Sequence, residues 1–251
     1  MADDILAELY CGDERISYKH YSLQEYVIYF DRTDSTQDSN LAALRVIRAM
    51  IDFGYYAQQY FFKLKPALAT EYTAVERHYA TQYDFETIQR MTESHALSYT
   101  GNKLIEDSDV DRVTLYLTLE SATALTVNLY MKADTTSTPE IRVNGQTLSM
   151  DNPLIEYNGW KWTMEDASSG STRCYAVTIE GISPHNLDKR FVLNGTAGGS
   201  FKITVSSFSF VNSVLNATTM SNYTEARMLV AAMYQFHEAE VAYRTAMGMS
   251  N

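Results

Sequence analysis

Cysteine, proline and glycine are all scarce in this chain of 251 residues, which contains 2 Cys, 4 Pro and 11 Gly. Two cysteines are too few for a disulfide framework or a four-cysteine zinc site. The low proline and glycine content excludes collagen-like and low-complexity disordered chains. The chain has instead 45 % hydrophobic residues and 19 tyrosines. This composition indicates a folded, tyrosine-rich globular protein.

Positive charge and long apolar runs are also scarce. With 20 Lys+Arg against 31 Asp+Glu, the formal net charge is −11, so nucleic-acid binding by counterion release has no overall driving force. No apolar run approaches the roughly 18 residues of a membrane span, and the acidic start Met1-Ala2-Asp3-Asp4 lacks the basic stretch of a signal peptide. We therefore expect no membrane insertion, and the abrupt start suggests a piece excised from a longer protein, which leaves the location of that protein open.

The first hundred residues show mostly helical periodicity. Residues 1–21 predict an N-terminal hairpin arm or the remnant of an upstream domain. The capping box Ser22-Leu23-Gln24-Glu25 predicts a helix that begins at Leu23. Apolar residues at three- and four-residue steps over 40–62 predict a helix of about five or six turns, and Phe85 to Met91 predict a short one. Residues 22–101 are thus expected to form a helical part.

Residues 102–205 have the two-residue period of antiparallel strands. Asn144-Gly145 and Asn158-Gly159 predict tight hairpins, because Asn-Gly easily adopts the positive φ angles of a type I′ turn. The first turn would pair Ile141 with Leu148. The number of strand signals predicts a β-sandwich of about seven strands, the size of an immunoglobulin-like module.

The C-terminal part is helical again and repeats the pattern of the first long helix. Residues 46–60 align without a gap on residues 229–243, with Ala49-Met50 matching Ala232-Met233 and Phe53 matching Phe236. Since neither helix can bury its apolar stripe alone, we expect 206–251 to pack on 40–62. The predicted fold class is α+β, an antiparallel β-sandwich inserted between the helices of a small helical bundle.

Four segments resemble a module that recurs in large secreted or cell-surface proteins of anaerobic Gram-positive gut bacteria. They are VIRAMIDFGYYAQQYF (46–61), VTIEGISPHNLDKRF (177–191), VSSFSFV (205–211) and the closing helix 229–243. The first is similar to an alanine-methionine, tyrosine-glycine, alanine-alanine-glutamine, tyrosine-phenylalanine helix pattern. The resemblance covers most of residues 22–247.

The resemblance implies an extracellular, non-catalytic module beside dockerin, cell-wall-anchoring or carbohydrate-active neighbours, with no assigned catalytic residue. The chain departs from the pattern in three places. Phe53 and Phe236 stand where tyrosine is common, His237 replaces asparagine, and Trp160-Lys161-Trp162 is not typical.

The second hairpin is the candidate binding site. Around Asn158-Gly159, Tyr157 would pair with Trp160 and Ile155 with Trp162 on one face. Aromatic rings on a rigid strand form a flat platform for a sugar, which predicts glycan binding by Tyr157, Trp160 and Trp162. The alternative is that this face is buried core, because large aromatic residues are usually buried.

Two further features allow a ligand or a cross-link. Asp107, Asp109 and Asp111 alternate as at the start of a calcium loop, but Arg112 stands where that loop needs glycine. A solvated loop is therefore preferred to a calcium site, and no other cofactor is expected. Cys11 and Cys174 are expected to be free thiols, with a bridge as the alternative if their Cα atoms lie within about 6 Å.

The sequence contains no nucleophile elbow, P-loop, dinucleotide glycine motif or zinc histidine pair. The predicted function is a non-catalytic extracellular surface module that binds a polysaccharide or cell-surface glycan, or takes part in adhesion, next to other modules of its parent protein. A structural spacer without a ligand is the first alternative, and a fragment of a carbohydrate-active enzyme is the second.

Overall fold

The computed structural model describes residues 5–21, 25, 38–72, 74–75, 77, 83–93, 107–108, 113–121, 124–131, 136–217 and 223–249. The chain divides into two compact units. The helical unit comprises Met1–Phe85 and Thr218–Asn251, and the sheet unit comprises Glu86–Ala217. In chain order, the sheet unit is therefore inserted into the helical unit.

The described residues form five α-helices and three antiparallel sheets. The helices are α1 (Asp38–Leu64), α2 (Leu68–Glu71), α3 (Phe85–Glu93), α4 (Ser207–Asn216) and α5 (Tyr223–Ala246). The strands are β1 (Ile5–Cys11), β2 (Glu14–Tyr21), β3 (Asp107–Ser108), β4 (Val113–Ser121), β5 (Ala124–Met131), β6 (Glu140–Val143), β7 (Gln146–Leu148), β8 (Leu154–Tyr157), β9 (Trp160–Asp166), β10 (Cys174–Glu180), β11 (Phe191–Thr196) and β12 (Ser200–Val205).

In the helical unit, the two helices that share an apolar stripe lie against each other. The rings of Phe53 and Phe236 are 6.4 Å apart, and Lys63 Nζ lies 2.7 Å from Glu225 Oε2. Lys63 follows Phe53 by ten residues on α1, whereas Glu225 precedes Phe236 by eleven residues on α5. The two helices are therefore antiparallel. Because Phe53 and Phe236 are also matched in the gapless alignment, the pair has approximate twofold symmetry about this ring contact.

The N-terminal hairpin, the long helix and the short helix from Phe85 are confirmed. Strands β1 and β2 pair antiparallel, and α1 and α3 cover the predicted segments. The helix predicted to begin at Leu23 lies outside the described residues, apart from Glu25. None of the helices in the described ranges is both long and apolar enough to cross a membrane.

In the described residues of the sheet unit, ten strands form two five-stranded sheets. Sheet I has the order β4-β5-β10-β9-β8, and sheet II has the order β3-β12-β11-β6-β7. Both Asn-Gly hairpins are confirmed, with Ile141 paired to Leu148 and Tyr157 paired to Trp160. Asn144 and Asn158 have φ angles of 47° and 53°, as the type I′ turn requires. The described part of the unit has ten strands, β3 to β12, against about seven predicted. Strand β3, with two residues, is too short to show alternation in the sequence.

Both sheets have one strongly apolar face. The side chains that are fully buried on these strands are Leu125, Val127, Leu129, Ile141, Leu148, Val177, Ile179, Leu193, Ile203 and Val205. Burial of each large side chain in this set contributes about 1.5–3 kcal/mol to the stability of the unit.

Helix α4 belongs to the sheet unit, whereas the sequence placed 206–251 together as one helical part. Its N-cap is Ser206, whose hydroxyl accepts a hydrogen bond from the backbone N–H of Ser209 at 3.2 Å. Phe208 and Val211 are fully buried. Their burial accounts for the inclusion of the helix in the sheet unit. At its other end Asn216 accepts a hydrogen bond from Gln89 of α3.

The two cysteines are free thiols, Cys11 exposed and Cys174 buried. Burial raises the pKa of the Cys174 thiol, and the nearby charge of Asp166 raises it further, although a hydrogen bond with Tyr130 acts in the opposite direction. The reactive thiolate of Cys174 is thus disfavoured by both its environment and its inaccessibility.

We expect one thiol per chain to react quickly with a disulfide reagent in the native protein and two after unfolding. Cys11→Ser should abolish the fast phase, and Cys174→Ser should leave it unchanged. The measurement is the absorbance released by the reagent, with and without denaturant. Two fast thiols in the native wild-type protein would contradict the burial of Cys174.

Gly195 of β11 is a position where a side chain does not fit. A Cβ atom there would lie 2.5 Å from the carbonyl oxygen of Glu140 and 2.5 Å from the ring of Phe201. Because one of the two obstacles is backbone, the clash cannot be relieved by a rotamer change alone.

Gly195→Ala should therefore lower the free energy of unfolding by about 1–3 kcal/mol, the usual effect of overpacking. Thr196→Ala, at the exposed next position on the same strand, serves as the control and should change stability by less than about 0.5 kcal/mol. Urea denaturation measures both. Equal stability of the two variants would show that β11 can shift to accept a methyl group.

Candidate functional site

The aromatic residues of the β8–β9 hairpin occupy one face of sheet I but differ in depth. Tyr157 pairs with Trp160 next to the turn, and Ile155 pairs with Trp162 one step further along. Ile155 and Trp162 are 2 % and 5 % exposed, whereas Tyr157 is 37 % exposed and Trp160 is half-buried. The burial of this face thus decreases toward the turn.

Phe191, the first residue of β11 in sheet II, contacts both tryptophans. Its ring centroid is 5.0 Å from that of Trp160 and 5.8 Å from that of Trp162, with interplanar angles of 86° and 79°. These edge-to-face arrangements are the favoured geometry for aromatic pairs, worth about 0.5–1.5 kcal/mol each beyond area burial. The ring of Trp160 is therefore held in place by its own protein.

Trp162 cannot form part of a surface platform, because its ring is covered. Of the three predicted residues, the surface therefore presents Tyr157 and Trp160. We call these two residues the aromatic rim. A cation lies at the rim as well, since Lys189 Nζ is 5.7 Å from the centroid of the Trp160 ring, within the range of a cation–π contact.

The turn of this hairpin is fixed by a second glycine. Gly181, which follows β10, has a φ angle of 86°, and a Cβ there would lie 2.8 Å from the carbonyl oxygen of Gly159. Only glycine permits both this φ and this approach. The opposite face of the hairpin carries an exposed ion pair between Lys161 and Glu180 at 2.9 Å. The aromatic rim thus rests on a turn of defined geometry.

The predicted calcium ligands are mostly outside the described residues. Asp109 and Asp111 lie there, and Asp107 is placed in strand β3 by its backbone. Among the residues that the structure describes, no cluster of three His, Cys, Asp or Glu side chains could hold a metal ion. The calcium site stays a prediction.

The helical unit has an apolar groove of ≈ 430 Å³ that sequence reasoning missed. Residues of α1, α2 and α5 line it, among them Met50, Phe53, Ala57, Phe61, Leu68 and Phe236. Gln58 and Val75 also line the groove, and Gln58 Oε1 accepts a hydrogen bond from the backbone N–H of Val75 at 2.7 Å. This bond fixes the segment after α2 along one side of the groove.

A partly buried ion pair lies close to this groove. Arg77 Nη1 is 2.9 Å from Asp52 Oδ1 and donates to the Tyr56 hydroxyl at 3.2 Å. The Arg77 guanidinium also stacks on the Tyr55 ring at 4.1 Å. Burial opposes the charge of Arg77, but the hydrogen bonds to Asp52 and Tyr56 outweigh it and raise the pKa of Arg77. The sequence signal for this pair is a charged residue, Asp52, on the buried side of an apolar helix.

No protein-family model, curated protein or solved structure matches this chain.

Arg77→Met should destabilise the protein by about 2–3 kcal/mol, because it removes a charge-assisted hydrogen bond from the buried Asp52 carboxylate. Lys65→Met, at an exposed position beyond the end of α1, is the control and should change stability by less than about 0.5 kcal/mol. Thermal and urea unfolding give the values. The double variant Asp52→Asn, Arg77→Met should be more stable than the sum of the single changes predicts, whereas additivity would show that the two groups are not coupled.

Proposed function

We propose that this chain is a non-catalytic, extracellular bacterial surface module that binds a saccharide at the aromatic rim of Tyr157 and Trp160. The observation that carries the proposal is the position of the Trp160 ring. It is half-buried, packs edge-to-face with Phe191 and lies beside the exposed Tyr157. A sugar ring presents C–H groups that stack on an aromatic face, and a ring already held in position loses little entropy on binding.

The polar surroundings of the rim support the same proposal. Lys189 lies near the face of Trp160, and Lys161 and Glu180 occupy the other side of the hairpin. Ligand sites commonly combine aromatic contact area with a few polar groups that fix orientation. The partner in this proposal is a polysaccharide or cell-surface glycan, and the secreted location follows the resemblance to modules of bacterial surface proteins.

The architecture we propose for the module is a β-sandwich inserted between the helices of a small bundle. Its support in the sheet unit is the packing of Phe191 of sheet II on two tryptophans of sheet I. Its support in the helical unit is the antiparallel contact of α1 and α5. In such a sandwich, inward-facing residues of both sheets form one core.

A structural spacer is the second candidate, and one observation favours it. Both tryptophans contact Phe191, so core packing alone accounts for their presence without a ligand. In that case the module would position its neighbours in the parent protein and bind nothing at the rim.

Glycan-array and affinity-gel screens of the purified protein distinguish the two. Tyr157→Ala should weaken the binding of any captured glycan about three- to tenfold, the effect of losing one aromatic contact. Tyr72→Ala, which removes an exposed tyrosine of the helical unit (50 % exposed), is the matched control and should have no effect.

Trp160→Ala should reduce binding more strongly, but it also removes the contact with Phe191, so its unfolding temperature must be measured alongside. A protein that captures no glycan would support the spacer. Binding that persists unchanged in both Tyr157→Ala and a folded Trp160→Ala variant would remove the rim as the site.

A further inference from the structure

The outward face of sheet II carries two rows of polar side chains around a cleft of ≈ 370 Å³. Lys202 of β12 and Arg142 of β6 flank Asn194 of β11, and each is its direct partner in the strand pairing. One step along the strands, Ser200 and Glu140 flank Thr196 in the same way. All six residues are exposed and line the cleft.

The first row supplies hydrogen-bond donors of positive charge. Adjacent strands lie about 4.8 Å apart, so the Cα atoms of Lys202 and Arg142 are roughly 10 Å apart, with the Asn194 amide between them. Neither cation forms an ion pair with another described side chain. In a chain of net charge −11, two such cations on one exposed face form a local site for an anionic group, and the planar guanidinium suits a carboxylate.

The second row has a different character. It offers two hydroxyl groups and the carboxylate of Glu140, about 7 Å from the first row along the strands. A carboxylate accepts hydrogen bonds from sugar hydroxyls but repels a second anion. The ligand that fits both rows has a carboxylate at one end and hydroxyl groups at the other.

Gly195 and Phe201 also line the cleft. The ring of Phe201 and the carbonyl oxygen of Glu140 occupy the space where a Cβ of Gly195 would lie, so packing within the protein explains this glycine. Phe201 is 6 % exposed, so its ring supports the strand rather than projecting into the cleft.

The backbone of Lys202 pairs on its other side with that of Asp107 in β3. Arg142 is the cation on which recognition depends most, because its planar guanidinium can donate two parallel hydrogen bonds to one carboxylate.

We propose that this cleft binds an acidic saccharide, of the uronic-acid class, with its carboxylate held by Arg142 and Lys202 and its hydroxyl groups by Glu140 and Thr196. The site lies on sheet II, away from the β8–β9 strands that carry the aromatic rim. It does not rest on binding at the rim.

The test is a calorimetric titration of the full chain with a galacturonate oligomer and with its neutral methyl ester, at low and at high salt. The acid should bind more tightly than the ester, and its affinity should fall with salt, because the exposed charges are screened. Arg142→Gln should weaken acid binding about tenfold, as expected for a lost charge-assisted hydrogen bond. Lys202→Gln should have a smaller effect.

Lys65→Gln removes the same charge from an exposed site in the helical unit and is the control, with no expected effect. The proposal is overturned if the ester binds as well as the acid, if the acid does not bind, or if Arg142→Gln and Lys65→Gln act equally. It is also overturned if an oligoglutamate peptide binds as tightly with the same dependence on Arg142, since recognition would then be of charge alone.

Tyr157→Ala separates this proposal from the aromatic rim. Acid binding that is lost in Tyr157→Ala and kept in Arg142→Gln would overturn the sheet II cleft and support the rim. The reverse result supports the cleft and leaves binding at the rim to the screen of neutral glycans.

Discussion

The contact of Phe191 with Trp160 and Trp162 is the interaction on which the candidate rim depends. Phe191 belongs to sheet II and both tryptophans to sheet I, so one ring determines how the aromatic face of the hairpin is covered. It leaves Trp162 buried and Trp160 half-exposed, and it holds both rings edge-on. Without this ring, both tryptophans would lose an edge-to-face partner, and the half-buried Trp160 would be held less firmly at the rim.

Local signals in the sequence predict a large share of this fold. The Asn-Gly pairs determine two hairpins and their registers, because a type I′ turn fixes which residues face each other. The helical period over 40–62 predicts α1, since three- and four-residue spacing is unambiguous over so long a segment. These features depend on residues close together in the chain, so turn geometry and side-chain periodicity are enough to predict them.

Features that depend on distant residues could not be predicted in the same way. The alternation around Asn144-Gly145 places Arg142 on the exposed face, but its alignment with Asn194 and Lys202 arises from the pairing of β6 with β11, about fifty residues later. Likewise, the pairing of Tyr157 with Trp160 follows from the turn, whereas the contact of Phe191 with both tryptophans joins strands of different sheets. The spacing of Phe208, Val211 and Leu215 indicates a buried helix face, but the segment 206–216 alone does not show that α4 belongs with the sheets.

The hydrogen bond between Gln89 and Asn216 joins the first and the last helix of the sheet unit. The chain therefore enters and leaves this unit at neighbouring points, although more than a hundred residues separate them. A unit with adjacent ends can be inserted into a surface loop of a host protein with little change in the distance between the ends of that loop. The same adjacency would allow a short linker to join the two ends for circular permutation. Because its ends are adjacent, the whole unit has a geometry that a helical protein could acquire as one insertion.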